Sequence, residues 1–421
     1  MKILVFPHDL EIGGSQINAI EIAAAVQQRG HEVVIFGRKG ALNARIVGLG
    51  LEFIESPRPS HRPTPAIVRA LKQLISSRGF DVLHGYEWPP TLECALAARK
   101  TPAVAVSTVM SMAVAPFIPK HLPLMVGTAS ILVTEQKFGR TRTELLEPPV
   151  DLAANNPSME LGVETFRRQW GLGSSSFIVS TVTRLAVELK LEGLLSAIEA
   201  VGRVANQIPV QLLIAGSGPA RNIVEAAANE VNRRTGRRVV VLAGQLDDPR
   251  AAYAAADLVL GMGGSALRAM AFAKPLVVQG EQGFWELLTP ESLPHFLQQG
   301  WFGTGPGAQT GGGRLAGLLV EVYGNPDRRR ELSAFGLATV TGRFSLSRAA
   351  ERQEAFYGRA LQEPAAVQVL NNFGAAGRFA AHQVVQRTRQ LLGSAAEDDF
   401  NASRPGRRQA VVQQAPKGVR G

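Results

Sequence analysis

The sequence predicts an α/β protein made of two doubly wound parallel sheets, and three observations carry that prediction. Short apolar runs recur along the chain, and most are followed by a turn and then by a stretch of helical period. A segment rich in proline and asparagine, residues 147–157, falls between two such alternating series. The 421 residues, 45% of them apolar and 43 of them glycine, suffice for two domains of roughly 100–200 residues each.

The elements follow in order. Ile3-Leu4-Val5-Phe6 is a first strand, too short to be the apolar core of a signal peptide. A glycine turn leads into a helix from Ser15 to Gln28, with Ile17, Ile20 and Ala24 on one face. Gly30 ends it, and residues 31–37 form the next strand. A helix from Ala66 to Ser76 precedes a strand over 79–84, and Val104–Thr108 and Ser130–Thr134 continue the sheet. After the linker the pattern restarts. Phe177–Val182 is a strand, Glu192–Ala205 a helix, residues 210–216 a strand, Ala220–Arg234 a helix and Val239–Gly244 a strand. Residues 257–260 and 275–278 are further strands, and Ser347 to Gln362 is the last helix of the body. Two Rossmann-like halves, 1–150 and 151–362, are thus expected to face one another across a cleft.

Residues 363–421 form a basic tail. An amphipathic helix is expected over 374–392, and disorder from Ser394 onward, where apolar anchors are few. Net charge is +4 over residues 1–150, +1 over 151–364 and +5 over 365–421, out of +10 in all. Half of the excess therefore lies in the tail, which reads as a polar extension, with weak contact to acidic lipid headgroups as the second reading. Few aromatic residues accompany the clusters Arg233-Arg234, Arg237-Arg238 and Arg328-Arg329-Arg330, so no nucleic-acid partner is expected. The stretch from Val104 to Val133 is broken by Pro116, Pro119 and Pro123, and a membrane span needs ~20 consecutive apolar residues. A single cysteine, Cys94, excludes an internal disulfide framework and fits a reducing, cytoplasmic setting. The seven histidines show no ligand spacing, so neither a metal nor a cofactor is expected.

Three loops could carry chemistry. Gly13-Gly14 joins the first strand to the first helix, where a backbone without Cβ atoms can aim amides at an anion. A tight turn needs glycine in any case, and the dinucleotide fingerprint Gly-x-Gly-x-x-Gly does not occur here. Arg184 and Lys190 lie six apart across a strand-to-helix turn, as two cations able to hold a diphosphate. Their bland readings are a surface charge for Arg184 and pairing with Glu188 or Glu192 for Lys190. Gly216 and Gly218 form another strand-to-helix turn, and Gly263-Gly264-Ser265 a third.

The runs Val182–Leu195 and Ser265–Val278, with Gly13-Gly14-Ser15-Gln16, resemble the retaining family 4 glycosyltransferases over residues 1–362. The resemblance implies a GT-B fold, with an acceptor-side first domain, a nucleotide-sugar second domain and a final helix that crosses back to the first. It implies that Gly13 and Gly14 face the donor diphosphate, that Arg184 and Lys190 bind and stabilise it as it leaves, and that Gly216 and Gly218 lie near the nucleotide. One element departs. The family's two glutamates, eight apart, are replaced here by Leu260 and Arg268. Arg268 can only donate hydrogen bonds, so it would suit a phosphate or carboxylate on a different donor. Glu281, in the next loop, is the candidate substitute carboxylate, with a plain surface-loop glutamate as its default reading.

Acceptor-side candidates are His8, Asp9, His84 and Glu87. His84 stands at a strand end, where the family often has His-x-His with Tyr86 here in the second place; it is the candidate polar contact or base. The function expected is metal-independent transfer of a sugar from a nucleotide-sugar with retention. The alternatives are a glycosyltransferase-like binder without catalysis, and a nucleotide-sugar epimerase or hydrolase on the same fold. The sugar, nucleotide, acceptor and oligomeric state stay open.

Overall fold

A computed structural model describes residues 1–59, 62–363, 375, 377–379 and 382. The first half runs β1 (Lys2–Phe6), α1 (Gly14–Gln28), β2 (Glu32–Gly37), α2 (Asn43–Gly48), β3 (Glu52–Glu55), α3 (Pro65–Arg78), β4 (Val82–Tyr86), α4 (Trp88–Ala98), β5 (Val104–Val109), β6 (Leu124–Val126), α5 (Ala129–Lys137) and β7 (Thr143–Leu145). The second runs α6 (Val163–Trp170), β8 (Phe177–Val182), α7 (Leu191–Val204), β9 (Val210–Ala215), α8 (Arg221–Thr235), β10 (Val240–Gly244), α9 (Arg250–Ala254), β11 (Leu258–Gly261), α10 (Gly264–Ala271), β12 (Leu276–Gln279), β13 (Trp285–Leu287), α11 (Leu293–Gln299), α12 (Gly311–Gly324), α13 (Pro326–Arg343) and α14 (Leu346–Gln362).

The seven strands of the first sheet lie in the order β3-β2-β1-β4-β5-β6-β7, and every neighbouring pair is parallel. The second sheet, β10-β9-β8-β11-β12-β13, is parallel except for the antiparallel edge strand β13. In both, the order reverses beside the first strand of the half, so the loops leaving β1 and β4, and those leaving β8 and β11, splay apart to open a crevice. The strands read as unbroken apolar runs because helices cover both sheet faces. Ile3 and Val5 pack with α1 on one side, while Leu4 and Phe6 pack with α3 and α4 residues on the other.

The helix α1 was expected to bury one face, yet residues 18–26 are all buried. The reason is α14, which crosses back from the second half and lies over it. Ala349, Ala350, Phe356, Tyr357 and Ala360 join the same core as Ile20 and Val26. Arg29 and His31 both reach Glu354, at 2.5 and 2.9 Å.

The expected strand at 130–134 is helix α5. Thr128 caps it by accepting from the Ile131 amide at 3.2 Å, and the Thr134 hydroxyl donates to the Ser130 carbonyl. The capping threonine outweighs the β-branched residues. The strand in this region is β6, entered directly from Pro123.

Most of the tail, including the disorder expected from Ser394, lies outside the described residues. Residues 375, 377–379 and 382 are helical and meet the first half. The Phe379 ring lies 5.2 Å from Phe117 and 6.0 Å from Trp88, and Arg378 Nε donates to the Pro116 carbonyl at 2.6 Å. No helix among the described residues is long and apolar enough to cross a membrane.

Candidate functional site

In the first half the site begins at the uncapped N-terminus of α1. Gly13 is extended, no side chain caps the helix, and the space where a Cβ on Gly14 would sit is open. First-turn amides are therefore available to an anion, with the positive end of the helix dipole behind them. Gly13 has a local reason to be glycine. A Cβ there would sit 2.3 Å from Oε1 of Gln16, whose amide donates to Asp9 at 2.8 Å. The His8 imidazole lies 2.9 Å from the Asp9 carboxylate. Burial raises the Asp9 pKa, but the bond and charge of His8, the Glu11 amide and Gln16 outweigh it and hold the carboxyl below its usual range.

Glu87 follows β4 and is nearly buried. Its carboxylate accepts from Ser15 Oγ at 3.0 Å, the Met110 amide at 2.9 Å and Ser111 Oγ at 2.7 Å.

His84 is not placed as expected. It is fully buried beneath α14, with Nδ1 2.7 Å from the Tyr357 hydroxyl and Nε2 2.8 Å from Thr108 Oγ1. Burial alone pushes its pKa down to about 3. With both ring nitrogens engaged and the ring fully buried, it fastens the last helix to the sheet and is not exposed as the sequence suggested. Position within β4, rather than at its end, aims it at the covered face.

In the second half the turn after β8 carries Arg184 and Lys190. Two glycines press against that turn. A Cβ on Gly216 would lie 1.8 Å from the Thr183 carbonyl, and one on Gly218 would lie 2.5 Å from that of Leu185. The Leu185 amide donates to the Ser217 carbonyl, and Leu185 accepts from the Ala220 amide, both at 2.9 Å. Gly216 and Gly218 thus let the β9 loop brace the Arg184 turn. At its far end Leu189 takes φ +63°. The Gln279 side chain crosses Gly193 to reach the carbonyls of Leu189 and Lys190 at 3.5 and 3.4 Å. A Cβ on Gly193 would meet that side chain at 2.1 Å.

Neither cation is neutralised: among the described residues, Arg184 and Lys190 have no ion pair. Arg184 is exposed. Burial lowers the Lys190 pKa to about 8. The bland pairing of Lys190 with Glu192 does not form, because Glu192 accepts from the Gln282 and Gly283 amides at 3.1 and 2.6 Å.

Gly263 opens α10 at φ +53° and ψ −129°, a region that side chains disfavour. The Ser265 hydroxyl closes this turn by donating to the Met262 carbonyl at 2.9 Å. Arg268 folds back beside Gly264, and its Nη2 lies 3.9 Å from Oε1 of Glu21 in α1. That contact brings the α10 and α1 stripes together across the junction of the halves. Glu281 pins its loop through its backbone, with its amide donating to Gly303 at 3.0 Å and its carbonyl accepting from Gly305 at 2.8 Å. Glu21 and Gln279 escaped the sequence reading, and Glu192 was read only as a partner of Lys190, since each is an ordinary polar residue whose partner lies far along the chain. Among the described residues no group of three or more His, Cys, Asp or Glu could hold a metal.

Comparison with known proteins agrees in both halves. Residues 12–117 match the model described as Glycosyltransferase Family 4, and residues 176–298 match Glycosyl transferases group 1. No curated relative matches the chain significantly. A glycosyltransferase from Rickettsia africae superposes with a TM-score of 0.69 at 16% identity, covering 86% of this chain and 98% of the other. HepE from Anabaena, solved with UDP, gives 0.68 at 16% identity over 85% of this chain and all of its own. Sucrose-phosphate synthase from Thermosynechococcus elongatus gives 0.66 at 17% identity, over 86% and 100%. At such identities these structures establish the two-domain fold and nothing finer.

Proposed function

Because the chain belongs to the family 4 glycosyltransferases, with their GT-B fold, we propose that it moves a sugar from a nucleotide-sugar donor to an acceptor with retention and without a metal. The observation that carries this is the braced turn holding Arg184 and Lys190. Two uncompensated cations, Lys190 half-buried and Arg184 exposed, suit a diphosphate whose negative charge grows as the glycosidic bond breaks. They supply the charge that a divalent ion would otherwise bring. The similar HepE structures, solved with UDP and with UDP-glucose, support a nucleotide-sugar as the donor class. Retention rests on the family resemblance, in which the diphosphate leaves from the face that the acceptor enters.

Calorimetric titration of UDP, GDP and ADP, each beside its nucleoside, tests the clamp. A hydrogen bond to a charged group contributes ~1.5–3 kcal/mol, so Arg184→Ala or Lys190→Ala should each weaken diphosphate binding about tenfold or more. Nucleoside binding should hardly change, and turnover should fall further than donor affinity. The double variant should fall short of additive, because both cations act on the same phosphates. Diphosphate affinity that survives in the double variant would remove the basis of the reading. Resistance of turnover to EDTA and the anomeric configuration of the product by NMR check the other two parts.

A further inference from the structure

We infer that Glu87 is a positioning residue for this reaction: one carboxylate that clamps the loops after β1, β4 and β5 into a single wall of the cleft. The inference rests on the sugar-nucleotide reading above for its functional half. Ser15 belongs to the first turn of α1, next to Gly13 and Gly14, while Met110 and Ser111 follow β5. Through three hydrogen bonds Glu87 therefore fixes the direction in which the α1 amides point.

The backbone supports this over a purely architectural role. Glu87 holds φ +63° and ψ 174°, a region that is essentially glycine's and costs ~1–3 kcal/mol for any other residue. The Glu87 side chain makes no capping bond to helix α4, and only its carbonyl meets that helix, accepting from the Thr91 amide at 3.2 Å. The first turn is held instead by Thr91, whose hydroxyl donates to the Glu87 carbonyl at 2.7 Å. The strain turns the carboxylate away from its own helix and toward the neighbouring loops. A negative charge this close to an anion-binding helix end would be adverse if it were bare. Three donors surround it, so the shape of the group matters more than its charge.

Three variants separate these possibilities, read by hydrogen exchange and by diphosphate titration, with UDP, GDP and ADP as probes. Glu87→Gln keeps the shape and can still bridge the loops, so parental amide protection at Ile17 in the α1 loop and at Met110 in the β5 loop, and affinity within about threefold of the parent, are expected. Glu87→Ala removes the clamp: exchange should quicken in those two loops alone, and diphosphate affinity should fall about tenfold. Glu87→Gly loses the clamp and also the strain, so it should bind as weakly as the alanine variant while melting at a higher temperature. Unchanged exchange at Ile17 in Glu87→Ala would overturn the clamp. Loss of affinity in Glu87→Gln equal to that in Glu87→Ala would overturn positioning in favour of a direct role for the charge. If the parent chain binds none of the three diphosphates, the sugar-nucleotide reading fails. The exchange measurements still decide whether the clamp exists.

Discussion

Lys190 titrates where an ordinary lysine would not. A lysine in water keeps its proton to about pH 10.4, but here burial brings the pKa to about 8. Between those values the unfolded chain holds the proton more tightly than the native one, so native stability rises as pH rises through that interval. Below pH 8 the cost of burying the cation is fully present. Lys190→Met should therefore raise the melting temperature at pH 7, with the gain shrinking toward pH 10. Binding has the opposite sign, because a diphosphate beside the amine pulls the proton back. Calorimetry near pH 9 in two buffers of different ionisation enthalpy should show proton uptake, and Lys190→Arg should abolish it. Arg268 has a different constraint. Among the described residues Oε2 of Glu21 is buried without a hydrogen-bond partner, and Oε1 is shared between Arg45 and Arg268. From sequence, Arg268→Glu reads as a change of donor preference with the fold left intact. Against Glu21 it would instead set two carboxylates together, so it should melt well below Arg268→Gln; equal melting would mean that the contact carries no energy.

At the scale of elements, strand-helix alternation was legible because sheet strands buried on both faces are apolar throughout, as in Phe177–Val182 and Val210–Ala215. The glycine turns were legible too, although their physics was not. Gly216 and Gly218 are explained by carbonyls of the Arg184 turn, which a linear reading cannot bring alongside. Helix α5 was hidden because Ile131, Leu132 and Val133 resemble a strand, and only Thr128 signals otherwise. His84 looked like a strand-end ligand because nothing in the sequence places Tyr357 above it, 273 residues later. The tail reads as dispensable from its composition. Phe379 and His382 against Trp88 and Phe117 change that expectation. Truncation after Gln362 should redden tryptophan emission and lower the melting temperature; an unchanged spectrum and melt would return the segment to a passive extension.

For the whole molecule, the governing feature is the double crossing between halves. The chain leaves the first half at Val150 and re-enters it at Ser345, and the two passages are joined: the Val150 amide donates to Phe344 and the Leu346 amide donates to Val150, at 2.8 and 3.0 Å. Helix α14 then supplies one wall of the first half's core. Residues 1–150 expressed alone should therefore expose apolar surface and bind a hydrophobic dye, and a peptide spanning 344–362 should restore protection. Restoration should weaken with Tyr357→Ala, which leaves His84 Nδ1 without its partner while Nε2 keeps Thr108. The same feature sets a clock on biosynthesis. At ~5–20 residues per second, the first half waits on the order of ten to forty seconds after leaving the ribosome before its final helix is made. During that interval α1 lies uncovered, and the half that is made first is the one that completes its core last.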